Sequence, residues 1–261
     1  MKETKKVLIT VKTYPTPSKK YDELVCTAGI TEDGKWIRLY PIEFRKLSYD
    51  KQYNKYDWVE IIVERNTSDF RKESYKPIGE CKRIGHIGTE SNWKARKDIL
   101  NNIKLYTNMK ELIADSKKPK YTSLALFKPT KITDFLIEKQ DATWSVEENK
   151  QLEFFMPNDF KRIEKLPFKF KYVFEDDEGK ESKLSITDWE IGALFLKYKD
   201  TPELACQKVK EKYLDDFAHK KDLYFFLGTT KEHHNTARNP FIIIGTFHPN
   251  KTAEDPQGTL F

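Results

Sequence analysis

The sequence predicts an α+β chain made of a small β-barrel, a helical insertion and a second β-rich unit. Three observations carry this. Short apolar runs broken by Gly or acidic turns crowd the first ninety residues, and several short strands in so little chain point to a barrel. Capped, amphipathic stretches follow from residue 91. The last third returns to strand-like runs rich in Phe, Tyr and Ile.

In order, the strands of the first block are expected at residues 7–11, 24–30, 35–40, 58–63 and 81–87. The second and third flank Thr31-Glu32-Asp33-Gly34, an acidic-Gly turn that closes a hairpin. Ser91 is expected to cap a helix over 93–100, and Thr107 one over 109–114. A β pair is expected at 123–129 and 131–137, then a helix to about residue 155 opened by Ser145 with Glu148 as a capping box. Residues 168–174 alternate aromatics with lysines, the pattern of a half-buried strand, and Asp176-Asp177-Glu178-Gly179 turns it into 182–186. Thr187 opens a helix to 199, Thr201-Pro202 opens another, and strands at 223–228 and 241–247 close the fold. The expected division is 1–90 for the barrel, 91–160 for the mainly helical middle, 161–248 for the second β-rich unit and 249–261 for a flexible tail.

The 261 residues are 38% hydrophobic, 34% charged and 13% aromatic, which suits a globular chain with ring-rich cores. A net charge of +6 and a pI near 8.9 permit a polyanionic partner without demanding one. No apolar run reaches the length of a membrane span, and Met1-Lys2-Glu3-Thr4-Lys5-Lys6 leads into a strand with no signal-peptide core, so a cytoplasmic protein with no membrane partner is expected. Cys26, Cys81 and Cys206 are odd in number and widely spaced, indicating neither a disulfide framework nor a zinc site, and no metal or cofactor is expected. Walker loops, GxGxxG and GxSxG are absent.

Candidate binding residues cluster in the first block. Tyr14, Trp36 and Tyr40 offer rings for stacking bases, and Lys12, Lys19, Arg38 and Arg45 offer cations for phosphates. Trp36 and Arg38, two apart on one strand, share a face. If it points out they can grip nucleic acid; if it points in, Trp36 is a core residue and Arg38 supports a carboxylate. Arg71 is the best phosphate donor in the polar loop 66–74. His233 and His234, beside Glu232 in a loop between two apolar strands, are the candidate acid/base pair, set against a structural role. Asp188 and Glu190, flanking Trp189, are the acids most worth following, with complementing a helix N-terminus as their simpler role.

The final Gln257-Gly258-Thr259-Leu260-Phe261 resembles the Gln-x-x-Leu-Phe peptide by which bacterial replication and repair proteins dock on the sliding clamp. The resemblance implies that Gln257, Leu260 and Phe261 are partner-binding residues, with Gly258 departing from the apolar preference at its position. Residues 26–41, with the acidic-Gly turn and Trp36-Ile37-Arg38, are similar to the opening hairpin of bacterial proteins containing dual OB-type barrels. More loosely, Lys12-Thr13-Tyr14-Pro15 and Gly228-Thr229-Thr230 resemble a group of bacterial proteins of unassigned activity. Together these imply an accessory DNA-transaction protein for replication, repair or defence against mobile elements, touching DNA, single-stranded DNA included, through an OB-like barrel. The alternatives are a metal-dependent nuclease or nucleotide-directed hydrolase built on His233 and His234, and a protein-binding module without catalysis.

Overall fold

A computed structural model describes residues 1–17, 23–42, 44–48, 51–145 and 163–252. Lys19, the capping-box helix expected before residue 155, and Gln257, Leu260 and Phe261 lie outside the described residues. The architecture is mixed α+β with several sheets.

Five strands close the barrel: β1 (Lys2–Lys12), β4 (Thr27–Thr31), β5 (Trp36–Leu39), β6 (Asp57–Arg65) and β7 (Ser74–His86), in the order β1-β4-β5-β7-β6. All neighbours are antiparallel except β5 and β7. A small pair, β2 (Thr16–Pro17) and β3 (Glu23–Leu24), sits in the connection after β1. The acidic-Gly turn forms as the sequence predicts, with Gly34 at φ 73°. Period-two alternation sends Val7, Ile9, Ile37, Leu39, Val59, Ile61 and Val63 into the barrel. A bulge in β1 between Ile9 and Val11 then shifts the phase. Val11 joins Leu8 in the core outside the barrel, and Lys12 is turned toward Phe44 and Tyr53 of the barrel's own core.

The second sheet runs β14 (Phe241–Phe247), β13 (Tyr224–Thr229), β9 (Leu124–Phe127), β8 (Leu105–Tyr106). One face, with Leu124, Leu126, Tyr224, Phe226 and Ile244, packs on Leu8, Ala28 and Ile30 of the barrel. The other, with Ala125, Phe127, Phe225, Leu227 and Ile243, packs on an aromatic core built by β10 (Lys131–Lys139), β11 (Phe168–Glu175) and β12 (Glu181–Ser185). A sheet covered on both faces accounts for continuous apolar runs such as 223–227 and 241–244.

Among the described residues four helices complete the fold: α1 (Glu90–Leu100), α2 (Met109–Asp115), α3 (Trp189–Lys197) and α4 (Pro202–Lys210), the last continuing through π-helical turns at Glu211–Ala218. Four local expectations are corrected. The strands at 124–127 and 131–139 do not pair with each other; β9 has both edges taken, by β13 and β8, and β10 pairs with β11. Asn108, not Thr107, caps α2, since Thr107 donates to Asp177 instead. Asp188, not Thr187, caps α3 through its carboxylate, while Ser91 lies in a left-handed turn inside α1. No helix among the described residues is long and apolar enough to cross a membrane, which leaves β-barrel spanning unaddressed.

Candidate functional site

A cleft of about 840 Å³ opens where the end of β1, the turn before β6, α1, α3, the π-helical turns and the end of β14 converge. Its size is that of a small-molecule or nucleotide pocket, for which roughly 300–1,000 Å³ is usual. Each wall is set by a specific local device. The bulge in β1 delivers Lys12, whose ammonium lies 4.2 Å from the Phe44 ring centroid and 4.7 Å from that of Trp189. Gly192 lets α3 approach, because a Cβ there would meet the Tyr14 ring at 2.1 Å. The π-helical turns carry Tyr213 and Phe217, and such widened turns are frequent at functional sites.

Two aromatics of the cleft are held in the left-handed region, Tyr56 at φ 65° and Trp93 at φ 64°. Trp93 ends a run of three left-handed residues with Ser91 and Asn92, each costing about 1–2 kcal/mol outside glycine. Asn92 offsets this by exchanging two hydrogen bonds with the Asn250 backbone, 2.9 and 2.7 Å. Tyr56 is held by its backbone, which donates to Ile9 O at 2.6 Å and accepts from Ile87 N at 2.9 Å. Strain kept in place by surrounding bonds is a mark of functional sites.

Three buried cations face two carboxylates. Lys55 pairs with Asp188 at 2.8 Å and Glu190 at 3.0 Å, and although burial would lower its pKa, those charges raise it instead. Lys12 and Arg96 pair with no carboxylate among the described residues. Burial first, then the charge of Lys55, lowers the Lys12 amine to about 8. Arg96 packs 3.6 Å from the Tyr56 ring centroid and spends Nε and Nη2 on one carbonyl, Ile87 O. Burial lowers its pKa as well.

The neutral polar groups are equally distinctive. Among the described residues seven buried side-chain polar atoms lack a hydrogen-bond partner, and four belong to cleft residues: Tyr56 Oη, Tyr213 Oη, Thr246 Oγ1 and His248 Nδ1. Arg96 lies over the face of the Tyr56 ring. His248 stacks on Phe217 at 3.6 Å and meets the edge of Trp93 at 4.9 Å. Burial lowers its pKa to about 3, so its ring is neutral at physiological pH. Leaving such groups unpaired costs about 1–3 kcal/mol each, which makes four around one cleft a binding signature.

The residues singled out in the sequence are dispersed. Lys12 lines the cleft, and Tyr14 braces it, its hydroxyl donating to Glu164 O at 2.7 Å. Trp36 lines a smaller cleft of about 410 Å³ with Lys35, Lys72 and Tyr75. Arg38 is 3% exposed, covered instead of open to nucleic acid, and its Nη2 donates to Ser123 O and Oγ, the latter bonded to Glu73, so it supports a carboxylate through Ser123. Tyr40 and Arg45 are half-buried, Arg45 on the 3-10 turn Phe44–Lys46. Arg71 is buried, forks onto Asp69 at 2.6 and 2.9 Å and donates to Thr229 O at 2.6 Å. His234 is fully buried, with Nδ1 against Thr229 Oγ1 at 2.7 Å and Nε2 against Ser116 O at 2.8 Å, whereas His233 and Glu232 are exposed. No group of three or more potential metal ligands occurs among the described residues. Lys55, Arg96, Tyr213, Thr246 and His248 carried no local sequence signal; Asp188, Trp189 and Glu190 did.

The cleft also marks a junction in sequence relationships. Residues 3–102 match a family described as Domain of unknown function (DUF8758), and residues 106–261 match one described as Domain of unknown function (DUF8757). No curated protein matches the chain. Among solved structures, "Structure of murine DNA binding protein bound with ds DNA" is similar at 11% identity over 98% of this chain and 100% of that chain, with a TM-score of 0.32, too low to carry an argument. Lys12, Lys55, Tyr56, Trp93 and Arg96 come from the first matched segment, and Trp189, Glu190, Tyr213, Thr246 and His248 from the second. Because the second match spans more than half of the sequence, the chain belongs to the DUF8757 family, with a DUF8758 segment preceding that domain.

Proposed function

We propose that the chain is an accessory DNA-transaction protein that binds nucleic acid in the cleft and reaches its DNA by docking Gln257, Leu260 and Phe261 on a sliding clamp. The observation that carries the first half is the combination, in one cleft, of unpaired buried cations, exposed Lys212 at the rim, and the rings of Trp93 and Trp189. Cations that track phosphates and rings that stack on bases are the two requirements of single-strand binding. In this reading residues 1–90 form an OB-type barrel, 91–160 and 161–248 build the opposite wall, and 249–261 are the tether. The barrel's chain order, first-second-third-fifth-fourth strand with a parallel closing pair, supports the OB assignment. Lys12 stands where the loop between its first two strands begins, a region OB folds use for nucleic acid.

Titrating labelled single-stranded DNA into the full chain tests the first half. With about three phosphate contacts, affinity is expected to fall roughly 20-fold between about 50 mM and about 200 mM salt. Absence of binding at the lower salt would remove the nucleic-acid reading. Calorimetry with purified bacterial sliding clamp tests the second half: binding by the intact chain that vanishes in Leu260→Ala/Phe261→Ala is expected, and no heat with the intact chain refutes docking. A weak tail suffices, because a DNA contact and a tail contact on the same assembly raise each other's effective concentration.

A further inference from the structure

The chemistry of the cleft is more selective than a phosphate track requires. Lys55 is matched by the buried Asp188, and Lys12 and Arg96 add two cations against one further carboxylate, the exposed Glu190, which leaves one positive charge over. A phosphodiester supplies one negative charge, whereas a terminal phosphate carries about −1.5 to −2. The unpartnered Tyr213 Oη, Thr246 Oγ1 and His248 Nδ1 add nothing to phosphate attraction at long range. Hydroxyls that donate and accept, beside a neutral imidazole, instead match the alternating donors and acceptors on the edge of a nucleobase. In a duplex that edge is paired and stacked, so only an unpaired or extruded base can present it. Trp93, fixed in its left-handed turn against Phe247 and His248, supplies a rigid ring beside those polar atoms.

We infer that the cleft holds one unpaired nucleotide unit, its phosphodiester at Lys12 and Arg96 and its base edge at Tyr213, Thr246 and His248. This rests on the nucleic-acid reading and narrows it: the site recognises a base as well as a backbone. A nucleotide within a strand and a free nucleotide share this chemistry, and they are separated by competition.

The test measures fluorescence anisotropy of the full chain with a short labelled oligothymidylate, with a base-free sugar-phosphate strand of equal length, and with unlabelled thymidine monophosphate as competitor. The base-free strand is expected to bind at least about 10-fold more weakly, in line with about 1–3 kcal/mol per stacked base. Tyr213→Phe/Thr246→Val, which removes two oxygens and preserves shape, is expected to weaken oligothymidylate by roughly 10-fold and leave the base-free strand unchanged. Lys12→Met should weaken both strands alike. Thymidine monophosphate that competes only at about 100-fold higher concentration supports a strand as the occupant, and competition at equal concentration supports the same pocket with a free nucleotide in it. Equal affinity of wild type for the two strands overturns the inference while the nucleic-acid reading stands. Binding of neither strand overturns both.

Discussion

Two regions of this protein contain the same set of side chains and use them in opposite ways. Where the loop after β13 meets the loop after β6, His234, Arg71 and Phe70 pack together. In the cleft, His248, Arg96 and Trp93 do the same. In the first region the polar atoms are used: both nitrogens of His234 are bonded, and Arg71 grips the carboxylate of Asp69 and the Thr229 carbonyl. Burial pushes the Asp69 pKa up, but the bonds and charge of Arg71 outweigh it and hold the carboxyl at about 2. In the second, His248 Nδ1 and three hydroxyls go unpaired, and Lys12 and Arg96 face no carboxylate of their own. The first arrangement fastens the barrel to the central sheet, and the second holds free energy in reserve for a ligand. Residue type alone cannot separate them; hydrogen-bond satisfaction does.

The largest effect is expected on the fastening side. Arg71→Ala leaves Asp69 buried and unpaired, which costs about 3–5 kcal/mol and, at about 2–4 °C per kcal/mol, lowers Tm by roughly 10 °C. Scanning calorimetry reads this, and nucleic-acid affinity of the folded fraction should not change. A fall in affinity at unchanged Tm would return Arg71 to the phosphate contact its polar loop suggests and would break the contrast. Next come the histidines. His234→Phe strands the Ser116 carbonyl and the Thr229 hydroxyl, for a loss of about 2–4 kcal/mol, whereas His248→Phe keeps the stack on Phe217 and should lie within about 1 kcal/mol of wild type. Urea denaturation at neutral pH ranks the two, and equal losses would mean that His248 is as structural as His234.

Much of the scaffold is legible in the sequence, because hairpin turns, strand alternation and the Thr-Pro helix start at residue 201 are local signals. The central sheet is legible only as apolar runs: its order depends on β9 choosing β13, nearly a hundred residues away, over the adjacent β10. The cleft is harder still. Its residues come from six places in the chain, and what distinguishes Tyr213 or Thr246 is the bond each lacks, a property of packing with no spacing to betray it. Trp189 with its flanking acids pointed to one wall, and Lys12 to the floor, although the bulge that turns Lys12 inward has no mark beyond Thr10 in an apolar run. Arg38 shows the reverse case: a strand cation beside a tryptophan reads as a binding residue and is consumed by Ser123 when the sheet covers the barrel.

The smallest effect is also the most diagnostic, because its sign depends on pH. Lys12 holds its proton to about pH 8 in the folded chain, against an ordinary value of 10.5. Below about pH 8 folded and unfolded states are both protonated, and the fold bears the whole penalty of the buried charge. Between those values the unfolded state binds more protons, so the penalty shrinks as pH rises, and above 10.5 it is gone. The groups facing Lys12 are Lys55, Glu190, Asp188 and Asp57. Lys55, raised by its two acids, stays protonated in this window, so the change belongs to Lys12. The shift corresponds to roughly 3 kcal/mol, from which a methionine forfeits about 1 kcal/mol of cation–π contact with Phe44 and Trp189. Lys12→Met is therefore expected to stabilise the protein by about 1–2 kcal/mol at pH 7, with the gain fading toward pH 10, while nucleic-acid binding weakens. Denaturation at both pH values decides it: a variant less stable than wild type at pH 7 would show Lys12 to be a satisfied structural cation like Arg71, whereas opposite changes in stability and binding are what a charge kept for a ligand produces.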